Sequence, residues 1–432
     1  MTDVIIIGGG PAGSAMGCYL SKMGIKNLIL EKEMHPRAHV GESMVTSTTR
    51  IFEEIGFLPF MEKAGFPKKY GASWHEPGGK EFYINFDEFQ QPGINQPYTY
   101  HVDRSKLDLH LLKHAQELGS EVVQGVNVQK VLFNDAQQAV GVQVKFAGQL
   151  IDIPAKMVVD ASGRGTVLGR QLNIKQSDPI FNQYAVHAWF KNVQRSQNDH
   201  TKDFIHIYFL PVKRGWAWQI PITDEITSVG IVVEREVFRT FKGNFEEYFN
   251  HYVKSNLGLS DALKDAVRVN EFKTEGDYSY SQKSFVGDGY VMIGDAARFV
   301  DPIFSSGVSI ALYSAKYASE VIKTAFEKND FSKEILMPYQ ETLKSGADIW
   351  YEFIRLYYKL LPLFTHFIQS KKYRVQILRL LQGEVFNRGE VEVLEAMRNY
   401  IQKVEKMENH IFHNQLSNIP IDEIPETILA QD

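Results

Sequence analysis

Four groups of residues in this sequence have types and spacings that suit chemistry. The first is Gly8-x-Gly10-x-x-Gly13, which follows the apolar run Val4-Ile5-Ile6-Ile7 and precedes a second apolar run ending at Glu31. At this spacing the first glycine permits a tight turn and the second lets backbone approach a pyrophosphate. The third lets a helix pack on the strand with its N-terminal amides facing the anion. A carboxylate at position 31 accepts hydrogen bonds from both ribose hydroxyls, so Gly8, Gly10, Pro11, Ala12, Gly13 and Glu31 are the expected dinucleotide site. The second group is the adjacent pair Lys68-Lys69. A lysine amine taken out of water is easily kept neutral and nucleophilic, whereas a solvated loop pair stays charged and inert. The third is Trp216-x-Trp218-x-Ile220. On a strand these side chains share one face, either as an apolar wall beside a reaction site or as ordinary sheet packing. The fourth, Asp301-Pro302-Ile303-Phe304-Ser305-Ser306-Gly307-Val308, opens a helical stretch. Amides at a helix N-terminus, beside two serines and a glycine, suit an anion.

These groups need elements to hold them. A strand, glycine turn, helix and second strand ending at Glu31 make the βαβ unit of a doubly wound sheet. Residues 43–62 read as helical by spacing, with turn clusters after them at Pro77-Gly78-Gly79 and Gln90-Gln91-Pro92-Gly93. Residues 120–159 read as successive strands leading into Asp160. Period-two segments at 184–190, 204–210, 216–220 and 228–233 indicate a separate antiparallel sheet. A buried strand returns at 290–293 and runs into Gly294 and Asp295, and beyond Ser306 the chain is helical almost to its end. The expected fold class is α/β. A doubly wound, Rossmann-like cofactor domain of the glutathione-reductase type takes residues 1–75, 98–175 and 280–325. An inserted antiparallel-sheet substrate domain takes 76–97 and 176–279, and a C-terminal helical region takes 326–432.

Composition removes other classes. The chain has 432 residues, 44% of them hydrophobic and 23% charged, enough to bury one or two cores. Its net charge of −5 gives no electrostatic reason to expect nucleic acid or an anionic membrane as partner. The most apolar stretch, 349–368, carries Glu352, Arg355, Lys359 and Pro362, so no membrane span is expected. The lone Cys18 supplies neither an internal disulfide nor a thiolate cluster. Together with an opening run that is no basic-then-apolar leader, it points to the cytoplasm. His35, His39, His75 and His101 do not cluster with carboxylates at metal-ligand spacing, and no metal site is expected. An aromatic content of 12% is high, and much of it recurs at helical spacing between Trp350 and Phe367. Such a stripe is either core contact or a platform over the site mouth.

Asp160-Ala161-Ser162-Gly163, Gly294-Asp295-Ala296-Ala297 and Tyr100-His101-Val102-Asp103-Arg104, taken with the glycine fingerprint, resemble the FAD-binding aromatic hydroxylase superfamily. The resemblance implies FAD, with Asp295 at its ribityl and pyrophosphate end, Arg104 over it, and Asp160, Gly163, Gly294, Pro302, Gly307 and Val308 nearby. With no second glycine fingerprint, reduced FAD is expected from a separate flavin reductase.

A sharper resemblance is to the flavin-dependent halogenases. Pro36-Arg37-Ala38-His39-Val40-Gly41-Glu42-Ser43 is similar to that family's flavin-approaching segment, which implies cofactor roles for Arg37, Gly41, Glu42 and Ser43. Trp216-Ala217-Trp218-Gln219-Ile220-Pro221 matches its Trp-x-Trp-x-Ile-Pro signature. In Lys68-Lys69-Tyr70-Gly71 the family's lysine, two residues before a glycine, falls on Lys69. The resemblance implies a chlorinating enzyme using FADH2, O2 and halide, either chloride or bromide. Halide held by Ser306 and Gly307 attacks a C4a-hydroperoxide, and hypohalous acid passes Trp216 and Trp218 to Lys69, which directs it to an electron-rich ring. The branch acting on free tryptophan has a glutamate where this chain has Phe304, which favours a phenol or pyrrole, often tethered to a carrier protein or peptide. An FAD-dependent monooxygenase or an FAD-linked reductase of the same superfamily is the alternative.

Overall fold

The computed structural model describes residues 2–196, 200–276, 279–386 and 391–421. Residues 4–7 offer no polar side chain to water, and they form the centre of a parallel sheet covered on both faces. Thr2–Ile7 pairs with Asn27–Glu31 on one side and with the end of Gln149–Asp160 on the other, which brings Ile7 beside Leu30 and Asp160. Tyr290–Met292 extends the sheet beyond Asp160, and Glu121–Gln124 extends it beyond Glu31, both parallel. The carboxyl ends of these strands therefore deliver Gly8, Glu31, Asp160 and Gly294 to one edge, where ligands of open α/β sheets bind. Helix Pro11–Lys22 packs against both Arg104–Glu117 and Gly307–Lys328. The first half of Gln149–Asp160 leaves this sheet to pair antiparallel with Ala139–Phe146, which in turn pairs with Asn127–Phe133.

A second sheet runs in the order Val267–Arg268, Gln183–Lys191, Thr227–Glu234, Trp216–Pro221, Ile205–Phe209, Gly71–His75, Glu81–Asn85. Its pairs are antiparallel except Ile205–Phe209 with Gly71–His75. Residues 71–75, inside a segment assigned from the sequence to the cofactor domain, are thus a strand of this sheet. One sheet face joins the main core through Ile207, Phe209, Trp216 and Trp218. The other, with Ala217, Val229 and Ile231, forms a second core under helices Phe245–Val253 and Leu257–Leu263.

Beyond Gly307–Lys328, the helices Lys333–Lys359, Leu361–Gln369, Arg374–Leu381 and Glu392–Lys406 complete the described chain. The aromatic stripe of this region faces inward: Trp350, Phe353, Tyr357 and Phe364 are fully buried. It is core contact rather than an exposed platform. No helix among the described residues is long and apolar enough to cross a membrane.

Candidate active site

Between the carboxyl edge of the parallel sheet and the second sheet lies a cavity of about 630 Å³. This is within the range of cofactor sites, roughly 300–1,000 Å³. Of the sequence-predicted residues it is lined by Gly8, Gly10, Pro11, Ala12, Glu31, Arg37, Gly41, Glu42, Ser43, Arg104, Gly163, Asp295, Pro302, Gly307, Val308, Trp216 and Trp218. Gly13, Asp160, Gly294, Ser306 and Lys69 do not line it; all but Lys69 directly adjoin residues that do.

The glycine turn shows why each position is small. A Cβ on Gly13 would stand 1.9 Å from the Gly8 carbonyl oxygen, so only glycine lets the helix start so close to the strand. Gly10 has nothing nearer to a built Cβ than Arg37 Nη2 at 3.6 Å, and that open space belongs to the cavity. Glu31 is held from behind: its Oε2 accepts from Gly9 N at 2.7 Å and its Oε1 from Glu33 N at 2.8 Å. Each oxygen keeps lone pairs for a ligand hydroxyl. Asp160 accepts from Ser162 N at 3.0 Å and Leu168 N at 2.8 Å, which shapes the turn that presents Gly163. A carboxylate at a strand end, a glycine cradle and a helix N-terminus fit the ribose and pyrophosphate of FAD.

Charge at the middle of the cavity is fixed by one buried pair. Arg104 donates to Asp108 through Nε at 2.8 Å and Nη2 at 3.0 Å, while its Nη1 donates to the Val40 carbonyl at 2.8 Å. The bidentate pair thereby pins the 40–43 segment. Arg37 Nη1 shares Asp108 at 3.8 Å. Burial pushes the Glu42 carboxyl up to about 7, although Trp189 Nε1 donates to it at 2.6 Å and Ser228 also hydrogen-bonds it. Burial likewise pushes Asp295 up to about 6, against Arg104 and Arg164.

Trp216, Trp218 and Ile220 line the cavity together, as their period-two spacing predicts. The indole rings are 5.8 Å apart; Trp218 Nε1 donates to Ser228 Oγ at 3.1 Å and Trp216 Nε1 to Tyr358 Oη at 2.9 Å. Tyr358 Oη donates in turn to Asp301 Oδ1 at 3.2 Å, tying the wall to the loop before Gly307. Tyr358 and Ser228 were not singled out from the sequence; each is separated from its partner by chain that only folding brings together.

The two lysines differ sharply. Lys68 Nζ is 3.0 Å from Glu62 and donates to Tyr98 Oη at 2.9 Å, at the surface. Lys69 is 3% exposed, and its Nζ donates to the Met44 carbonyl at 2.8 Å and lies 5.6 Å from the Phe86 ring centroid. Burial lowers its pKa to about 7. Met44 directly follows the cavity-lining Ser43, which puts this amine one residue behind the wall.

Helix Gly307–Lys328 begins at the cavity with Ser306 as its cap; Gly307 and Val308 line the cavity, and Ser306 Oγ is buried without a hydrogen-bond partner. Phe304 and Trp74 do not line the cavity. They meet through Phe364, 5.9 Å from Phe304 and 4.9 Å from Trp74, and Phe304 stacks on Phe353 at 4.5 Å.

A family model described as tryptophan halogenase matches residues 3–96 and 90–363. The chain is 47% identical to a 1H-pyrrole-2-carbonyl-(peptidyl-carrier protein) chlorinase of Pseudomonas fluorescens, over 97% of both chains. It is 32% identical to a 1H-pyrrole-2-carbonyl-(peptidyl-carrier protein) brominase of Pseudoalteromonas luteoviolacea, over 94% of this chain and 97% of the relative. The solved structure of the flavin-dependent brominase Bmp2 superposes with a TM-score of 0.85 at 30% identity, covering 94% of this chain and 99% of that one. With a glycine cradle, a pinned Arg104, a tryptophan wall and a buried lysine in one fold, the chain belongs to the tryptophan halogenase family and is a flavin-dependent halogenase.

Proposed function

We propose that this halogenase chlorinates the pyrrole ring of a pyrrole-2-carbonyl group carried on a peptidyl carrier protein, using FADH2 from a separate flavin reductase, O2 and chloride. The observation that carries the reading is Lys69, an amine with a backbone carbonyl as its hydrogen-bond partner and a pKa lowered by burial to about 7. Both curated relatives are named for the same tethered ring, and the higher identity is with the chlorinase.

Bound FAD, in its reduced form, would supply two electrons to O2, and chloride would give up the other two as it is oxidised to hypochlorous acid. The three segments 1–75, 98–175 and 280–325 hold it, with Glu31 taking the ribose and the Gly10 cradle the pyrophosphate. Arg104 and Arg37 compensate negative charge above it. The amides that open Gly307–Lys328, with Ser306 and Gly307 at the turn, hold chloride. Trp216, Trp218 and Ile220 exclude the ring from the cofactor while a small oxidant passes. On the far side the neutral Lys69 amine takes electrophilic chlorine from hypochlorous acid with release of water, then passes it to a ring carbon, which loses a proton as the amine regains one. Holding one small oxidant at one amine converts an indiscriminate reagent into a directed one.

The test uses purified chain, a reductase that regenerates FADH2, O2 and pyrrole-2-carbonyl on its carrier protein. Halogenated pyrrole, formed only with halide present and carrying chlorine when chloride is supplied, is the expected product. An oxygenated product whose yield is unchanged without halide contradicts the proposal.

A further inference from the structure

The strand register separates the two faces of the second sheet. Ile207 stands opposite Trp218 and Trp74, on the face of the tryptophan wall, whereas His206 stands opposite Gln219 and Ser73 on the other face. His75 is two residues beyond Ser73, and Glu81 is directly across from His75. The face turned away from the cavity thus collects two imidazoles, a carboxylate and a hydroxyl from three adjacent strands.

Their polar atoms converge. His75 Nε2 and His206 Nδ1 are 2.8 Å apart, and Glu81 Oε1 is 3.9 Å from His75 Nε2. One ligand atom from each of the three lies within 4.8 Å of the others. Tetrahedral zinc bonds at about 2.0–2.2 Å put neighbouring ligand atoms roughly 3.3 Å apart. Reaching that geometry asks the two nitrogens to part by about half an ångström, and the carboxylate, 3.9 Å from one and within 4.8 Å of the other, to close on both.

We propose that His75, His206 and Glu81 bind a divalent transition-metal ion of the zinc class, with solvent in the fourth position. The groups around the three are arranged as outer partners of a metal site are. The Thr201 carbonyl can only accept, so at 3.0 Å it takes the Nε2 proton of His206 and leaves the Nδ1 lone pair facing the cluster. Ser73 Oγ donates to Glu81 Oε1 at 2.5 Å, and Tyr208 stacks on the His75 ring at 4.4 Å. Without metal, His75 Nε2–H donates to His206 Nδ1. Metal binding moves that proton to His75 Nδ1, so both ligands stay neutral imidazoles. Two nitrogens and one oxygen favour zinc and its neighbours over calcium or magnesium, which take oxygen. The ion fastens the hairpin of Gly71–His75 and Glu81–Asn85 to strand Ile205–Phe209, just downstream of Lys69.

The test titrates chelator-stripped, tag-free, full-length chain with Zn2+ against a chromophoric chelator and follows its thermal midpoint. Expected are one equivalent bound, a midpoint that rises with Zn2+ but not with Mg2+, and an affinity at least tenfold weaker in both Glu81→Gln and His75→Ala. Glu81 is exposed, and Glu81→Gln keeps the fold, checked by an unchanged urea midpoint without metal. Absence of saturable one-equivalent binding, or the same Zn2+ affinity in the original chain and both variants, overturns the proposal.

Discussion

The cofactor side of the cavity is made of backbone and charge: glycines at 8 and 10 with Gly13 behind them, a carboxylate at 31, and Arg104 locked to Asp108. The cluster around Phe304 is made of large rings drawn from distant segments, with Phe304, Phe353 and Phe364 in mutual contact and Trp74 joined to them through Phe364. The first region depends on the absence of side-chain atoms at a few points, so a single methyl added at Gly8 or Gly13 is intolerable. The second depends on their presence, and a missing ring leaves a void. Outside both, Lys69 keeps a charge-bearing group out of water beside the Met44 carbonyl and the Phe86 ring, whereas its neighbour Lys68 stays paired with Glu62 at the surface.

Substitutions can separate these regions. Gly13→Val is expected to have the largest effect, because a Cβ there meets the Gly8 carbonyl oxygen at 1.9 Å. Purified protein should carry no FAD, and normal flavin absorbance would break the distinction drawn above. Phe304→Ala removes a buried ring and should cost about 3–5 kcal/mol by urea unfolding. Its FAD affinity should change less than threefold; a larger loss would mean that the ring cluster and the cleft are one unit. Glu31→Gln should weaken FAD binding by roughly 10–100-fold, the loss of a charged acceptor of about 1.5–3 kcal/mol, measured by flavin fluorescence titration.

A further effect is a slope in pH. The Lys69 pKa falls from 10.5 to about 7 on folding. Between those values the unfolded chain binds the extra proton, so stability rises with pH across the window, by at most ~1.4 kcal/mol per unit. Below about pH 7 both states are protonated and the contribution is flat. Urea midpoints from pH 7 to 10 should show this rise, and Lys69→Met should lose it.

Much of the cofactor side is legible in sequence because it is local. Gly8 to Glu31 lie within one βαβ unit, and Trp216, Trp218 and Ile220 declare a shared face by period two. The choice of Lys69 over Lys68 came from resemblance, and its physical reason is alternation: on one short strand Lys68 pairs with Tyr100 and Lys69 with Thr99, so one side chain turns out and the next turns in. The partners that finish the site were not legible. Tyr358 reaches Trp216 from the helical region, and the Met44 carbonyl meets Lys69 through tertiary packing. The cluster of His75 with His206, where spacing gave no metal expectation, spans strands adjacent in space and distant in the chain. Nor does the sequence show that Trp74 and Phe304 both pack on Phe364, a contact that draws the two rings into the core.

The central claim is that one buried amine turns a diffusible oxidant into directed halogenation. Its most direct test is the amount of halogenated pyrrole formed per FADH2 consumed, measured for the original chain, Lys69→Met and Lys68→Met. Lys69→Met should reoxidise flavin at the original rate with halogenated product lost at least a hundredfold, while Lys68→Met stays within threefold of the original chain. Normal product yield from Lys69→Met, or equal losses in the two variants, would contradict the account.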